Sequence, residues 1–238
     1  MTIISQSHKF IFVHLHKCGG TSIEKSYEKH ANWNDFIFGS TEFGELSQDY
    51  YKRKFSLHKH NSASELQSII GENIWGNYKT FALIRDPKTL YVSFYNWAGT
   101  IIKRKSLGDE KQIDIWRKKV LSNQEEEFLK WGAIKGFLLT ENLSDFIELV
   151  IKQNLLPGEI LPRLTDKNGQ IAIDNIFKLE SIKDAWTFLD RVVGHKLDRS
   201  HENRSSMFKE FISFEAKKTI NEFHKIDFEY FNYKPFKI

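Results

Sequence analysis

The sequence has little cysteine and little net charge, and it has no long hydrophobic run. Among its 238 residues the one cysteine is Cys18, which leaves no intramolecular disulfide framework and suits a reducing compartment. No apolar run approaches the ~18 residues of a membrane-spanning helix, and no signal peptide is recognisable near residue 1. We therefore expect a cytoplasmic chain without a transmembrane segment.

The net charge of +4 suits an anionic ligand but is too small to indicate nucleic-acid binding by itself. Hydrophobic residues make up 40% of the chain and charged residues 28%, which is typical of a globular protein with a real core. Neither a linker nor an internal repeat is visible. The composition and length predict a single α/β domain over residues 1–238.

The strongest local pattern is a strand, a glycine-containing turn and a helix near the N-terminus. The apolar, aromatic and β-branched run over residues 10–15 predicts a buried strand, and a helix is predicted over residues 21–30. Paired glycines allow backbone N–H groups to approach a ligand, and a helix N-terminus adds partial positive charge. The turn therefore predicts a phosphate site made by Lys17, Cys18, Gly19, Gly20, Thr21 and Ser22.

The order of residues in this turn differs from a Walker A motif, because the lysine precedes the glycine pair. An atypical P-loop kinase or nucleotide hydrolase stays open as an alternative, as does a tight turn with an incidental lysine. Since Cys18 adjoins Lys17 and the start of a helix, we expect its pKa to be lowered.

A second strand-to-helix turn carries another cation. Residues 78–84 predict a strand, and Asp86 and Pro87 suit the N-cap and the first position of a helix. Arg85 ends that strand, where α/β folds bind ligands, and Ser93 follows two helical turns later. We expect both to bind one anion; the alternative is a surface arginine and a helix serine with no shared ligand.

Other segments are predicted from their caps and periodicity. Ser62 and Glu65 match a capping box at the start of a helix, and Gly71 is predicted to end that helix. Residues 31–50 have no sustained period and are predicted as loop, residues 52–57 as a strand, and the basic residues 101–119 as a broken segment. Later helices are predicted over 124–136, 142–151, 181–193 and 213–224, an extended segment over 155–167 and a strand within 170–178.

His58 and His60 follow the predicted strand over residues 52–57, so they should lie near the carboxyl edge of the sheet. A histidine there suits the role of general base near neutral pH. Two alternatives stay open: ordinary loop histidines, or a zinc or iron site made with His14 and His16.

Taken together, these motifs resemble the carbohydrate sulfotransferases of the type called sulfotransferase family 2. The family's first motif resembles residues 14–22, HLHKCGGTS, and its second resembles residues 84–87, IRDP, followed by Ser93 and Tyr95. His58-Lys59-His60 resembles a histidine-bearing stretch of the family, and residues 201–206, HENRSS, resemble a loop that closes over the nucleotide. His16 and Cys18 depart from the commoner proline and threonine.

The resemblance implies a P-loop-like three-layer α/β/α fold with a central, mostly parallel sheet. It also implies transfer of a sulfuryl group from 3′-phosphoadenosine-5′-phosphosulfate (PAPS) to a carbohydrate hydroxyl, with no metal required. Residues 17–22 would hold the 5′-phosphosulfate, and Arg85 and Ser93 the 3′-phosphate, while Arg204 and Ser205 belong to the closing loop. His60 would be the base, in preference to His58, and Lys17 would act on the leaving phosphate.

The acceptor is expected to be a glycan or glycolipid, and a lipid-linked or soluble precursor suits a cytoplasmic enzyme. Residues 31–50 and 101–125 are predicted to form its surface. A non-catalytic nucleotide- or glycan-binding relative stays open as a further alternative.

Overall fold

The computed structural model describes residues 2–39, 41–124, 126–199 and 211–238, and five strands in these residues form one sheet. The strands are β1 (Ile3–Ser5), β2 (Phe10–Val13), β3 (Phe36–Ile37), β4 (Lys79–Ile84) and β5 (Asn175–Lys178). Their order across the sheet is β3-β1-β2-β4-β5. β2, β4 and β5 are parallel, whereas β1 is antiparallel to both of its neighbours.

This arrangement confirms the predicted mixed α/β class with a mostly parallel sheet. The P-loop-like three-layer detail stays a prediction. Eleven α-helices occur in the described residues: α1 (Gly20–Glu28), α2 (Glu42–Phe55), α3 (Ala63–Ile70), α4 (Glu72–Asn77), α5 (Pro87–Ser106), α6 (Glu110–Leu121), α7 (Gly132–Leu139), α8 (Leu143–Lys152), α9 (Ile182–Val193), α10 (Phe214–Phe223) and α11 (Lys225–Tyr230). Short 3-10 helices occur at Glu127–Lys130, Leu161–Leu164 and Leu179–Ser181.

The described residues divide into two compact units. The first comprises those between Met1 and Asp86 together with those between Ile160 and Arg204, and it contains the whole sheet. The second comprises those between Pro87 and Glu159 and between Ser205 and Ile238, and it is helical. The prediction of one domain over residues 1–238 stays a prediction.

The sheet of the first unit is organised by aromatic residues in β2 and β4. All four residues of β2 are fully buried, and so are the last five of β4. The Phe81 ring stacks on Phe12 with 4.7 Å between centroids and also contacts Phe10 at 5.8 Å. An apolar run buried on both faces is typical of a central parallel strand, which is the position that β2 and β4 occupy.

The second unit has its own hydrophobic core. Leu90 and Phe94 of α5 are buried there, as predicted from their helical spacing, and the partly buried Trp97 packs against this core. The same core includes Phe146 and Ile147 of α8.

Several predicted elements are confirmed. Ser62 caps α3, with its Oγ 3.3 Å from the Glu65 N–H, and Glu65 Oε2 accepts from the Ser62 N–H at 2.7 Å. Gly71 ends the helix with a φ of 83°. The predicted positions of β4, α8, α9 and α10 are also observed, and α5 begins at Pro87.

The region before His58 is a correction. Residues 42–55 form α2, whereas a loop and then a strand were predicted. Residues 31–50 have no sustained apolar period, but the helix-end signals favour a helix. Thr41 caps its first turn, which contains Glu42 and Glu45, and its last turn is basic, so both charges suit the helix dipole.

The basic region after residue 101 is a second correction, because it is helical. α5 continues to Ser106, and α6 begins after Asp109, whose side chain accepts from the Lys111 N–H at 3.0 Å. Trp116 and Val120 are buried and form the apolar face of α6, which the many lysines of this segment made hard to recognise in the sequence. Two further predictions need smaller corrections. Where one helix was predicted over residues 124–136, residues 127–130 and 132–139 form two separate helices. A 3-10 turn at Leu161–Leu164 interrupts the extended segment that was predicted over residues 155–167.

Candidate active site

The ends of three parallel strands come together at one edge of the sheet in the first unit. β2 leads to Lys17, β4 to Arg85 and β5 to Glu180. Arg85 Nη1 donates to the Lys17 carbonyl at 3.1 Å, and Glu180 Oε1 accepts from the Asp86 N–H at 2.9 Å. Carboxyl ends of parallel strands meet at the same edge, and this juxtaposition is the one expected for the lysine and the arginine.

The turn after β2 depends on its glycines for steric reasons. Gly19 has a φ of 81°, and a Cβ added there would lie 2.6 Å from Leu179 Cδ1. A Cβ on Gly20 would lie 2.3 Å from Cδ2 of His14. Lys17 itself has a φ of 59°, which L-residues adopt rarely. The backbone therefore makes a close turn that only glycine permits at these two positions.

The N-terminus of α1 follows directly at Gly20. Its cap residue, Gly19, makes no side-chain hydrogen bond to the helix, and the first turn contains no acidic residue. The partial positive charge of this helix end is therefore not offset by a carboxylate within that turn.

Positive charge is concentrated around the turn. Burial, together with the neighbouring cations Arg85 and Lys59, lowers the pKa of Lys17 to about 8. Cations held close enough to oppose one another's protonation make a site that an anion would stabilise.

Cys18 corrects the expectation of a lowered thiol pKa. Its side chain is only 1% exposed, and burial raises its pKa to about 12. Sγ contacts the His16 carbonyl at 3.3 Å. Desolvation of the thiolate outweighs the nearby Lys17 and Arg85 charges, so Cys18 is a packing residue of the turn and only its backbone can serve a ligand.

His60 lies against the beginning of the same turn. The His60 Nδ1 is 3.0 Å from the His14 carbonyl; because a carbonyl can only accept, this nitrogen carries a proton. In the neutral ring the lone pair is therefore on Nε2. Arg163 Nη2 donates to the His60 carbonyl, which holds the backbone of the loop.

Two other histidine rings pack on His60. His16 stacks on it with 3.5 Å between centroids, and the His14 ring meets it at 4.7 Å and 67°. Burial holds the pKa of His60 well below 6.5, and burial with the Arg163 charge lowers the pKa of His16 to about 3. Both rings are therefore neutral at pH 7.

His58 differs from His60 in its hydrogen bonding. Its Nδ1 accepts from the His60 N–H at 3.3 Å, which places the proton of the neutral ring on Nε2. The loop that carries both residues is organised by Asn61. The Asn61 Oδ1 accepts from the His58 N–H at 2.7 Å, and its amide donates to the Ser56 carbonyl at 3.2 Å.

The other predicted site residues fall in three parts of the chain, and their roles stay predictions. Thr21 and Ser22 begin α1, as expected, but Ser93 belongs to the second unit, where it is 5% exposed on α5. Arg204 and Ser205 lie outside the described residues. Within the described part of the chain, no group of three or more His, Cys, Asp or Glu side chains is arranged to hold a metal ion.

Three residues at this edge were not identified from the sequence. Glu24 is buried beside His14, Lys59 adds to the charge near Lys17, and Arg163 reaches the His60 loop from a distant segment. For Glu24 a signal existed, since it shares the apolar face of α1 with Ile23 and Tyr27. No feature of the sequence around Arg163 indicates that this residue reaches the His60 loop.

Comparison with known proteins identifies the class to which this arrangement belongs. The profile of the Sulfotransferase family matches residues 1–234, which is almost the whole chain. The chain belongs to the sulfotransferase family. No curated protein and no solved structure matches the chain. No helix among the described residues is both long and apolar enough to cross a membrane.

Proposed function

We propose that this protein is a sulfotransferase that uses PAPS as its donor and a carbohydrate hydroxyl as its acceptor, with His60 as the general base. One observation supports this most directly. The turn containing Lys17, the Arg85 side chain and His60, whose Nδ1 lies 3.0 Å from the His14 carbonyl, meet at one sheet edge in a single compact unit.

The donor residues of the chain fit a strongly anionic nucleotide. Gly19 and Gly20 permit the close turn that leads from β2 into the N-terminus of α1. Lys17 and Arg85 supply positive charge, and their mutual repulsion contributes to the lowered pKa of Lys17. We assign Lys17 and residues 18–22 to the phosphosulfate end. The assignment of the 3′-phosphate to Arg85 and Ser93 stays a prediction. Bound PAPS would supply the activated sulfuryl group that the acceptor oxygen receives.

His60 is suited to take the proton of the acceptor hydroxyl. The His14 carbonyl holds its Nδ1–H, so Nε2 presents a lone pair, and its low pKa keeps that lone pair available at neutral pH. An anionic ligand nearby opposes the effect of burial and raises the basicity of the ring. The opposite tautomer of His58 presents an N–H at Nε2, which supports His60 over His58.

A groove beside this loop supports a hydroxyl-rich acceptor. Its volume is about 610 Å³, and most of the residues that line it have hydroxyl, amide or charged side chains. The lining residues are Lys52, Ser56, His58, Asn61, Ser64, Glu65, Ser68, Ile69 and Lys167. Polar groups of this kind match sugar hydroxyls. This location differs from the predicted acceptor segments 31–50 and 101–125, which contribute no residue to this groove.

The donor is tested by thermal shift. Adenosine 3′,5′-bisphosphate at a hundred times its dissociation constant should add about 2.7 kcal/mol, or roughly 5–10 °C for a chain of this size. Parallel samples receive ATP with Mg²⁺, or Zn²⁺. Stabilisation by ATP with Mg²⁺ and not by the bisphosphate would favour the nucleotide hydrolase, and stabilisation by zinc alone would favour the metal site.

The base is tested by transfer of labelled sulfate from PAPS to a panel of glycan acceptors. His60→Ala should lower kcat by about 10²–10⁴ while the affinity for the bisphosphate nucleotide stays the same. His195→Ala, which alters an exposed histidine, is the matched control and should retain activity. Wild-type turnover in the His60→Ala variant contradicts the assignment of the base. Nucleotide binding with no transfer by the wild-type protein to any acceptor would support the non-catalytic alternative.

A further inference from the structure

A buried contact between a glutamate and a histidine lies next to the candidate site. Glu24 Oε1 on α1 is 2.6 Å from Nδ1 of His14, and the two residues are 0% and 3% exposed. A carboxylate removed from water is tolerated in a protein only where a partner compensates its charge. The proposed reaction does not use either side chain, so the contact needs another explanation.

His14 touches both parts of the site. Its ring edge occupies the space next to Gly20, where a Cβ would lie 2.3 Å from Cδ2. The same ring meets the His60 ring at 4.7 Å between centroids, and the His14 carbonyl accepts the Nδ1–H of His60 at 3.0 Å. One residue therefore adjoins the anion-binding turn and also the candidate base.

We infer that Glu24 is a positioning residue that acts through His14. It holds the His14 ring between Gly20 and His60, and it thereby keeps His60 in the Nδ1–H tautomer with Nε2 available. This inference rests on the proposed function in treating His60 as the base. The competing explanation is a buried ion pair that contributes to folding and has no effect on His60.

The two explanations differ in what happens to His60 when the charge of Glu24 is removed. In long-range ¹H–¹⁵N spectra of the nine histidines, His60 is assigned by its loss in His60→Ala. Wild-type His60 should show one tautomer, protonated at Nδ1. Glu24→Gln, which preserves side-chain size, should show both tautomers. The affinity for adenosine 3′,5′-bisphosphate should stay the same, because Lys17 and Arg85 are unaltered.

Turnover provides a second readout. Glu24→Gln should lower kcat by about 10- to 100-fold, the loss typical of residues that orient a functional histidine. If Glu24 acts through His60, the Glu24→Gln, His60→Ala double variant should be no slower than His60→Ala alone. Glu28→Gln is the matched control, since Glu28 is exposed one turn further along α1, and it should change neither the tautomer nor kcat.

An unchanged His60 tautomer with unchanged kcat in Glu24→Gln overturns the inference, and so does an additive loss in the double variant. If Glu24→Gln does not fold, the paired change His14→Phe with Glu24→Leu removes the polar atoms of both side chains and retains the carbonyl of residue 14. A single Nδ1–H tautomer in that folded variant likewise overturns the inference. The spectra do not require turnover, so a wild-type protein without sulfate transfer disproves the proposed function and leaves the positioning test intact.

Discussion

At the scale of single residues, the charge state of Lys17 is the most informative property of the site. The folded protein lowers the pKa of this ammonium from 10.5 to about 8 through burial and neighbouring cations. A lysine that is easily deprotonated in the free protein should recover its proton when an anion binds beside it. Binding should therefore be linked to proton uptake at mildly alkaline pH.

We predict that the affinity for adenosine 3′,5′-bisphosphate falls as the pH rises above about 8, by up to about tenfold per pH unit. Below pH 8 Lys17 is already protonated, so the affinity should be nearly constant. Calorimetry in buffers of different ionisation enthalpy measures both the affinity and the proton uptake. Lys17→Arg is the control, because a guanidinium does not titrate in this range and should remove the pH dependence. Equal affinity at pH 7 and pH 9.5 in the wild-type protein contradicts this reading of Lys17.

The stacked histidines His16 and His60 predict a loss of stability in acid. Their folded pKa values lie below the unfolded value of 6.5, so the unfolded chain binds more protons as the pH falls past 6.5. The free energy of unfolding should then fall by up to about 1.4 kcal/mol per pH unit for each histidine. Urea unfolding at pH 7, 6 and 5 measures this slope. His58, whose pKa burial also lowers, contributes to the same slope. His16→Gln should therefore reduce the slope by up to about 1.4 kcal/mol per pH unit, and an unaltered slope would show that His16 does not titrate as described.

At the scale of secondary-structure elements, the site is formed by the ends of three strands and by the loop before α3. β2 and β4 each lead to a cation, and β5 leads to Leu179, which packs against Gly19. The His60 loop joins them because Asn61 organises it and Arg163 holds its carbonyl. The close packing at the two glycines makes the turn sensitive to a single methyl group.

We predict that Gly20→Ala destabilises the protein by about 1–3 kcal/mol, because the new Cβ would overlap the His14 ring. The displaced turn should also weaken binding of the bisphosphate nucleotide. The matched control is Gly76→Ala in α4, where no atom lies within 4 Å of the added Cβ. That change should leave stability the same or raise it by up to about 1 kcal/mol. Urea unfolding and nucleotide titration test both variants, and equal behaviour of the two would refute the packing argument.

At the scale of the whole molecule, each compact unit is closed by residues that are distant in the chain. In the second unit, Tyr91 OH lies 2.8 Å from His224 Nε2, and His224 Nδ1 lies 2.6 Å from Asp227 Oδ2. All three residues are buried, and burial with the Asp227 charge raises the pKa of Tyr91. These contacts connect α5 to α11 through the residue that ends α10.

We predict that His224→Ala destabilises the second unit by about 3–5 kcal/mol, because it leaves the buried Tyr91 hydroxyl and Asp227 carboxylate without this partner. Tyr91→Phe removes only one hydroxyl and should cost about 1 kcal/mol. Denaturant unfolding followed by tryptophan fluorescence compares the variants with the wild type. If His224→Ala lowers the free energy of unfolding no more than Tyr91→Phe does, other groups must stabilise the Asp227 carboxylate.

The sequence by itself determined the class of the protein and most of the elements that carry the site. Local rules were sufficient for β2, β4, the Lys17 turn and the capping box at Ser62, because a short segment contains the whole signal. The order of the motifs was then sufficient to predict the family, because two specific strand–turn–helix motifs occur in one chain. The same local rules failed at α2, where no sustained apolar period was visible, and at α6, where a high lysine content obscured the apolar face.

Only the tertiary structure decided the chemistry of individual groups. The sequence placed Cys18 beside a lysine and so predicted a lowered pKa, but the fold buries the thiol and raises its pKa instead. The sequence preferred His60 to His58 as the base only by resemblance to the family. The tautomers of the two rings depend on a carbonyl 46 residues away in the chain and on a backbone N–H within the loop. Burial and hydrogen bonding depend on which distant segments meet, so no local pattern contains them.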